Sequence, residues 1–173
     1  AEESLALALE QNLIIMGTSD VHGLIDWDYT EKGKHRPITL VFAKEKNLGS
    51  MREALFEGRT VAVYNSLMVG KSEYLKPLLM ACIKINSAEY LEETQVVAIE
   101  IENISSSNLM FENAMSYNFY SNAPVFTIKA GEKKTLQIKT LEILTSVNLA
   151  LRGLGAYTAP KEHPLVEWSI DIK

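Results

Sequence analysis

The chain has 173 residues, of which 47% are hydrophobic, and a formal net charge of -5 at pH 7. This length and composition can bury a core in one or two domains. The acidic balance argues against a general nucleic-acid binder, which needs a basic face for the phosphates, and the apolar stretches are far too short to span a bilayer. Cys82 is the single cysteine, which excludes a disulfide within the chain and a zinc site built from several thiolates.

The first residues predict a helix followed by a short strand. Residues 1–10 have helical composition, with their apolar side chains on one face. The apolar run at 13–16 then predicts a short buried strand. We expect the residues after it to form the loop at the carboxyl end of that strand.

Asp20 and His22 form an Asp-x-His triplet in that loop, which is the most informative motif of the chain. Side chains alternate along an extended segment, so the two can point the same way, roughly 6–7 Å apart at the backbone. A carboxylate and an imidazole that converge at a strand tip make half of a metal site. Gly17 and Gly23 bracket the motif and allow close backbone approach, and the hydroxyl of Ser19 can orient a ligand.

Up to residue 84, predicted strands alternate with predicted helices, which indicates an α/β layer. The order is a strand at 38–43, a helix at 48–57, a strand at 60–64 and a helix at 71–82. Asn47 or Ser50 is expected to cap the first of these helices, and Gly58 to end it. Pro77 is expected to interrupt the second helix and to start a new helical segment.

After residue 85 the pattern changes to short strands separated by turns. Strands are predicted at 95–101, 109–115, 125–128, 135–138, 147–151 and 166–172. The turn at 129–132 contains Gly131 and predicts a hairpin between the strands on either side of it. Several short strands at this spacing predict an antiparallel β-sandwich.

The sequence Gly-Thr-Ser-Asp-Val-His at 17–22 resembles the late Gly-Ser-Asp-x-His motif of PHP-type metal-dependent phosphoesterases. The resemblance continues through 35–43, 51–60, 67–70 and 75–78, and it fits two-domain, exported bacterial members of that family. It implies an α+β protein with two domains. Residues 1–84 would form the C-terminal segment of a distorted β/α (PHP-like) barrel, and residues 85–173 would form the antiparallel β-sandwich.

The resemblance also implies the chemistry. Asp20 and His22 would be ligands of a cluster of divalent metal ions (zinc, manganese or iron), and metal-activated water would hydrolyse a phosphate mono- or diester in a small phosphorylated substrate. The family takes most of its ligands from earlier positions, beginning with a His-x-His pair, which this chain lacks. We therefore expect the chain to be the C-terminal part of a larger enzyme, inactive without a missing N-terminal barrel segment. By the same resemblance, a periplasmic or exported location is expected, with the cytoplasm as the alternative.

Three residues are weaker candidates for substrate binding. Tyr29 lies in the loop that follows the motif, where functional groups concentrate. His35 and Arg36 begin the next strand, and the planar fork of Arg36 matches phosphate oxygens. The alternatives are a solvated loop for Tyr29 and a loop salt bridge for Arg36.

Two other functions stay open. The sequence Ser-Asp-Val-His-Gly at 19–23 also resembles the first block of calcineurin-like metallophosphoesterases, but that family needs further downstream histidines, and only His35 and His163 follow here. The second alternative is a non-catalytic binding or structural module, since two protein ligands rarely hold a tight catalytic metal. The β-sandwich is expected to brace the barrel or to mediate a homodimer.

Overall fold

The structure, a computed structural model, describes residues 2–23 and 35–173. The chain divides into two compact units. Unit 1 comprises Ala1–Leu75 and Ala156–His163, and unit 2 comprises Lys76–Gly155 and Pro164–Lys173. The first boundary thus falls after residue 75, where the sequence analysis placed it after residue 84, and the chain returns to unit 1 at Ala156–His163.

The helices and strands are listed here in chain order. They are α1 (Glu2–Glu10), β1 (Ile38–Val41), α2 (Leu48–Phe56), β2 (Thr60–Tyr64), β3 (Leu67–Gly70), α3 (Ser72–Cys82), β4 (Ile83–Tyr90), β5 (Val96–Asn103), β6 (Leu109–Asn113), β7 (Val125–Ile128), β8 (Lys133–Lys139), β9 (Ser146–Gly153), β10 (Ala156–Tyr157) and β11 (Leu165–Asp171). Among the described residues, no helix is long and apolar enough to cross a membrane.

Unit 1 contains a four-stranded sheet in the order β1-β2-β3-β10. The first three strands are antiparallel neighbours, and β10 pairs with β3 in parallel. One face of the sheet is buried through Val61, Val63 and Met68. The opposite face carries Thr39 and Ala62, which are direct cross-strand partners and are half-buried. In the described part of unit 1, these strands form an open sheet and not a closed barrel.

The start of α2 follows from one side chain. The Oδ1 atom of Asn47 accepts a hydrogen bond from the backbone N–H of Ser50 at 2.8 Å, which satisfies one of the free donors of the first turn. Gly58 lies just beyond the helix with a φ of +67°, a conformation that glycine adopts without strain. The predicted cap and stop of this helix are therefore confirmed, with Asn47 as the capping residue.

Unit 2 is an antiparallel β-sandwich, as predicted. One sheet has the order β11-β9-β6-β7 and the other has the order β4-β5-β8. Alternate residues of β5 point into the core, where Val97, Ile99 and Ile101 are fully buried. Phe111 of β6 and Leu149 of β9 fill the core from the other sheet.

The turn at 129–132 does not close a hairpin. The strand before it, β7, pairs with β6, and the strand after it, β8, pairs with β5. The turn therefore leads the chain from one sheet to the other, and the hairpin prediction is wrong. The reason is that a short glycine turn specifies a chain reversal but not the strand that each arm pairs with. Gly131 does adopt the predicted positive φ, at +71°.

The helix α3 continues through Pro77, so the predicted second segment is also wrong. A proline removes one backbone N–H from the ladder of helix hydrogen bonds. The 11-residue helix nevertheless runs without a break from Ser72 to Cys82.

Candidate metal-binding segment

Residues 13–19 cross the half-buried face of the unit 1 sheet without joining it as a strand. The predicted buried strand at 13–16 is therefore wrong, and the side chains of Leu13 and Met16 are 51% and 52% exposed. Asn12 and Asp20 bracket this segment with positive φ values of 50° and 48°. A strand needs a neighbour for its backbone groups, whereas this segment uses side-chain partners instead.

Those partners are Thr39 of β1, Thr60 of β2 and Arg36, which lies just before β1. The Oγ1 atom of Thr60 donates to the carbonyl oxygen of Ile15 at 2.6 Å. Thr39 Oγ1 accepts from the N–H of Gly17 and donates to its carbonyl oxygen, both at 3.0 Å.

Arg36 supplies the next contact, since its guanidinium donates a hydrogen bond to Ser19 Oγ. The Ser19 hydroxyl therefore ties the segment to Arg36, and its expected role in orienting a ligand stays a prediction. This contact lies immediately before Asp20 in the chain.

Gly17 packs too closely on the sheet for any side chain. A Cβ atom added there would lie 2.8 Å from the carbonyl oxygen of Ile38 and 3.2 Å from Cβ of Ala62. The expected close approach at Gly17 is confirmed. At Gly23 an added Cβ would meet no atom of the described residues within 4 Å, so no close approach is found there among them.

Asp20 and His22 lie together at the end of this segment. Nε2 of His22 is 3.7 Å from Oδ1 of Asp20, and Nδ1 of His22 is 2.8 Å from the backbone oxygen of Asp20. A carbonyl oxygen can only accept, so the hydrogen of the neutral ring lies on Nδ1. In this tautomer Nε2 carries the lone pair that can bind a metal ion.

This arrangement suits a divalent metal ion. Two ligand atoms at about 2.1 Å from one ion are roughly 3.0–3.6 Å apart in tetrahedral, octahedral or trigonal geometry. The separation of 3.7 Å between Nε2 and Oδ1 is near that range. Both side chains are also free to adjust, because Asp20 is 89% and His22 is 82% exposed.

The described residues do not complete such a site. Within 2–23 and 35–173, no group of three or more His, Cys, Asp or Glu side chains could hold one metal ion. His163, the histidine furthest along the chain, uses Nδ1 to contact the backbone oxygen of Ala156 at 2.8 Å and packs on Tyr157. Asp20 and His22 therefore supply two ligands that need others.

The three weaker candidates for substrate binding differ in their contacts. Tyr29 lies outside the described residues. Both ring nitrogens of His35 have partners, since Nδ1 contacts the backbone oxygen of Arg36 at 2.7 Å and Nε2 accepts from the N–H of Asn65 at 3.0 Å. Its ring also meets Tyr64 edge-on. Arg36 points to Ser19 as described above.

Among the described residues, two shallow cavities open on the half-buried face of the sheet. One, of about 80 Å³, is lined by Gly17, Pro37, Ala62 and neighbouring apolar residues. The other, of about 260 Å³, lies where α1 faces Leu67 and Tyr157. Neither cavity is lined by Asp20 or His22, and their mainly apolar walls offer few groups that would recognise a phosphate.

Sequence reasoning missed Thr39 and Thr60 as contacts of the segment. A signal was present, because threonines on adjacent strands that face the same side of a sheet offer hydroxyls to whatever crosses that side. Nothing in the sequence, however, indicated that residues 13–19 would be the segment that crosses it.

Comparison with protein families identifies unit 2. The family DUF5001, described as an Ig-like domain, matches residues 83–169. The chain belongs to this Ig-like family. The match spans the whole of the β-sandwich apart from its last residues, and it includes the excursion at Ala156–His163 that returns to unit 1. The Ig-like match gives no activity, and a comparison with curated proteins found no match.

One solved structure resembles this Ig-like chain as a whole. It is a two-domain protein from Bacteroides vulgatus that is described as containing a predicted PHP-like metal-dependent phosphoesterase. The match covers 98% of this chain with a TM-score of 0.83 and 29% sequence identity. The chain spans 49% of the length of that protein.

Proposed function

We propose that the chain is the C-terminal part of a two-domain PHP-like metal-dependent phosphoesterase. In this proposal, Asp20 and His22 are two ligands of its metal cluster, and the N-terminal part of the barrel supplies the others. The observation that most supports it is the match of 98% of the chain to about half of a protein of that description. The convergence of Nε2 of His22 on Oδ1 of Asp20 supports it independently.

The chemistry would come from the bound metal ions. Zinc, manganese or iron would polarise a phosphate ester and activate water for hydrolysis. The role of Asp20 is to place a carboxylate oxygen at the ions. The role of His22 is to present Nε2, and its Nδ1–H bond to the backbone oxygen of Asp20 fixes the ring orientation and the tautomer that this requires.

The surface of unit 1 supports the presence of a further barrel segment. Large apolar side chains of the segment at 13–21 are exposed, namely Leu13, Ile14, Met16 and Val21. On the adjoining sheet, the cross-strand partners Tyr64 and Leu67 are also exposed. Exposed apolar side chains that lie together mark an interaction site, and in this proposal an N-terminal barrel segment covers them.

Substrate contacts through Tyr29, His35 and Arg36 remain part of the proposal. Arg36 is the best placed of the three, because its guanidinium already lies beside Ser19, next to the proposed ligand Asp20. His35 would first have to release its contacts with Arg36 and Asn65.

Elemental analysis and hydrolysis assays test the proposal. The full-length protein and its Asp20→Ala variant would be purified, and bound zinc, manganese and iron would be measured in each. Hydrolysis of p-nitrophenyl phosphate and bis-p-nitrophenyl phosphate would then be assayed. We expect Asp20→Ala to lose both metal and activity. As a control, Asp171→Ala removes an exposed carboxylate of β11 in unit 2 and should change neither.

The present chain alone gives a second test. Two exposed ligands are expected to hold metal weakly, so the chain should contain much less than one equivalent. Retained metal and activity in the full-length Asp20→Ala variant would contradict the proposal.

The Ig-like family match favours one alternative, a non-catalytic binding or structural module. In that case the full-length protein would contain no metal and would not hydrolyse either ester. The same elemental analysis therefore separates the two functions.

A further inference from the structure

We infer that Arg36, Thr39 and Thr60 form a side-chain clamp that positions Asp20 and His22. The inference rests on the proposed function, because it concerns how the two proposed ligands are held. Each clamp residue touches the segment that ends in the ligands, and none of them touches a ligand side chain. They are positioning residues.

The contacts of the clamp are evenly spaced along the segment. Thr60 binds residue 15, Thr39 binds residue 17 and Arg36 binds residue 19. Successive odd-numbered residues of an extended chain lie on the same side and are about 6.6 Å apart. The clamp therefore repeats with the period of a strand, and it replaces the missing backbone ladder with side-chain hydrogen bonds.

The middle contact is the one with two hydrogen bonds. Thr39 Oγ1 is bonded to both backbone groups of Gly17, and a residue with a Cβ could not come so close to Ile38 and Ala62. The hydroxyl satisfies one donor and one acceptor at once, which suits a segment that has no strand partner. The contact between Thr39 and Gly17 therefore sets the distance between the segment and the sheet.

The chain between the clamp and the ligands is short. Only one residue separates Gly17 from Ser19, and Asp20 follows Ser19 directly. Asp20 and His22 are themselves exposed, with no other element holding them among the described contacts. Movement of the segment at Gly17 or Ser19 is therefore passed to both ligands.

Thr39→Val is the variant that tests the clamp, because it removes the hydroxyl and keeps the shape of the side chain. Hydrogen exchange of the Gly17 amide should accelerate by about tenfold, as expected for loss of one hydrogen bond. Binding of Mn²⁺ alone to the full-length protein, followed by the electron paramagnetic resonance of free Mn²⁺, should weaken by about tenfold. Thr39→Ser keeps the hydroxyl and should restore both values.

Two controls complete the experiment. Thr127→Val removes an exposed hydroxyl from β7 in unit 2 and should change neither measurement. Asp20→Ala tests the proposed ligand itself and should abolish Mn²⁺ binding at this site.

The outcomes separate the clamp from the proposed function. Unchanged exchange at Gly17 in Thr39→Val would overturn the clamp, whatever happens to Mn²⁺. Faster exchange with unchanged Mn²⁺ affinity, while Asp20→Ala loses Mn²⁺, would overturn the positioning role and leave the proposed function standing. If Asp20→Ala binds Mn²⁺ as well as the wild type, the proposed function fails and the positioning role fails with it.

Discussion

The side chains of Asp20 and His22 face each other, with Oδ1 and Nε2 only 3.7 Å apart. One residue, Val21, lies between them in the chain, and Nδ1 of the same imidazole contacts the backbone oxygen of Asp20 at 2.8 Å. The pair is exposed and lies in no strand or helix. The geometry of the pair is therefore set by residues 20–22 alone, whereas a complete metal site needs further ligands from other parts of the protein.

We predict that His22→Ala weakens Mn²⁺ binding by the full-length protein by more than about tenfold, because an imidazole ligand is lost. Isothermal titration calorimetry would measure the dissociation constant. His163→Phe is the matched control, since it changes another histidine but keeps a ring against Tyr157. Equal Mn²⁺ affinities for His22→Ala and the wild type would rule His22 out as a ligand.

Gly17→Ala should destabilise unit 1 by about 1–3 kcal/mol, because the new methyl group would meet the backbone oxygen of Ile38 at 2.8 Å. Gly23→Ala is the matched control, because the added methyl group there meets no atom of the described residues within 4 Å. Urea unfolding would give the free energy of unfolding of each variant. Similar losses for both would mean that Gly17 is not packed on the sheet as described.

The sequence predicted the sandwich better than the course of the metal-binding segment. In β5 the alternation of Val97, Ile99 and Ile101 has the period of a strand, and this local pattern was enough to predict it correctly. The apolar run at 13–16 is equally strand-like, but whether it becomes a strand depends on a neighbouring backbone. No local pattern supplies that information.

The same distinction explains the other differences. The turn at 129–132 has the residues of a hairpin, but the pairing of β7 with β6 and of β8 with β5 is decided by packing across the sandwich. For the candidate site, Asp20 and His22 stood out by residue type. Thr39 and Thr60 did not stand out in the sequence. A threonine hydroxyl becomes a positioning group only when another segment, here residues 13–19, packs against it.

Asn103 at the end of β5 should be among the most sensitive polar positions of unit 2. It is fully buried, its Nδ2 lies 2.8 Å from the backbone oxygen of Ser107 and 3.1 Å from that of Ile128, and its Oδ1 accepts two hydrogen bonds from Ser105. Asn103→Ala would leave several buried groups without partners and should lower the free energy of unfolding by about 3 kcal/mol.

Chemical denaturation checks this, with Asn148→Ala as the control. Asn148 is exposed and makes its hydrogen bond to Glu167 at the surface, so its loss should cost less than about 0.5 kcal/mol. A small effect at Asn103 would show that its hydrogen bonds are replaced by water.

Cys82 should be unreactive in the folded protein. Its side chain is 9% exposed, and burial raises the pKa of its thiol, so less of the reactive thiolate is present at neutral pH. The labelling reagent 5,5′-dithiobis(2-nitrobenzoic acid) should react with about one equivalent of thiol only after denaturation. Rapid labelling of the native chain would contradict the burial of Cys82.

Glu132 gives a prediction for acid stability. Its Oε2 accepts a hydrogen bond from the backbone N–H of Lys129 at 2.6 Å, and this bond, with help from the charge of Lys134, holds the pKa of Glu132 below its ordinary value. A carboxyl whose pKa is lower in the folded than in the unfolded state stabilises the fold at pH values above its unfolded pKa. That contribution is lost as the pH falls through the folded value.

Replacing the Glu132 carboxylate should therefore lower the stability of the fold at neutral pH but not in acid. The bond closes the turn that leads the chain from β7 in one sheet to β8 in the other. Glu132→Gln should lower the melting temperature at about pH 7, and the difference from the wild type should shrink as the pH falls through the folded pKa of Glu132, where the wild-type carboxyl also becomes protonated. Glu92→Gln, at an exposed position in the turn between β4 and β5, is the control for loss of one negative charge. If the difference between Glu132→Gln and the wild type stays constant with pH, the carboxylate does not stabilise the turn through its charge.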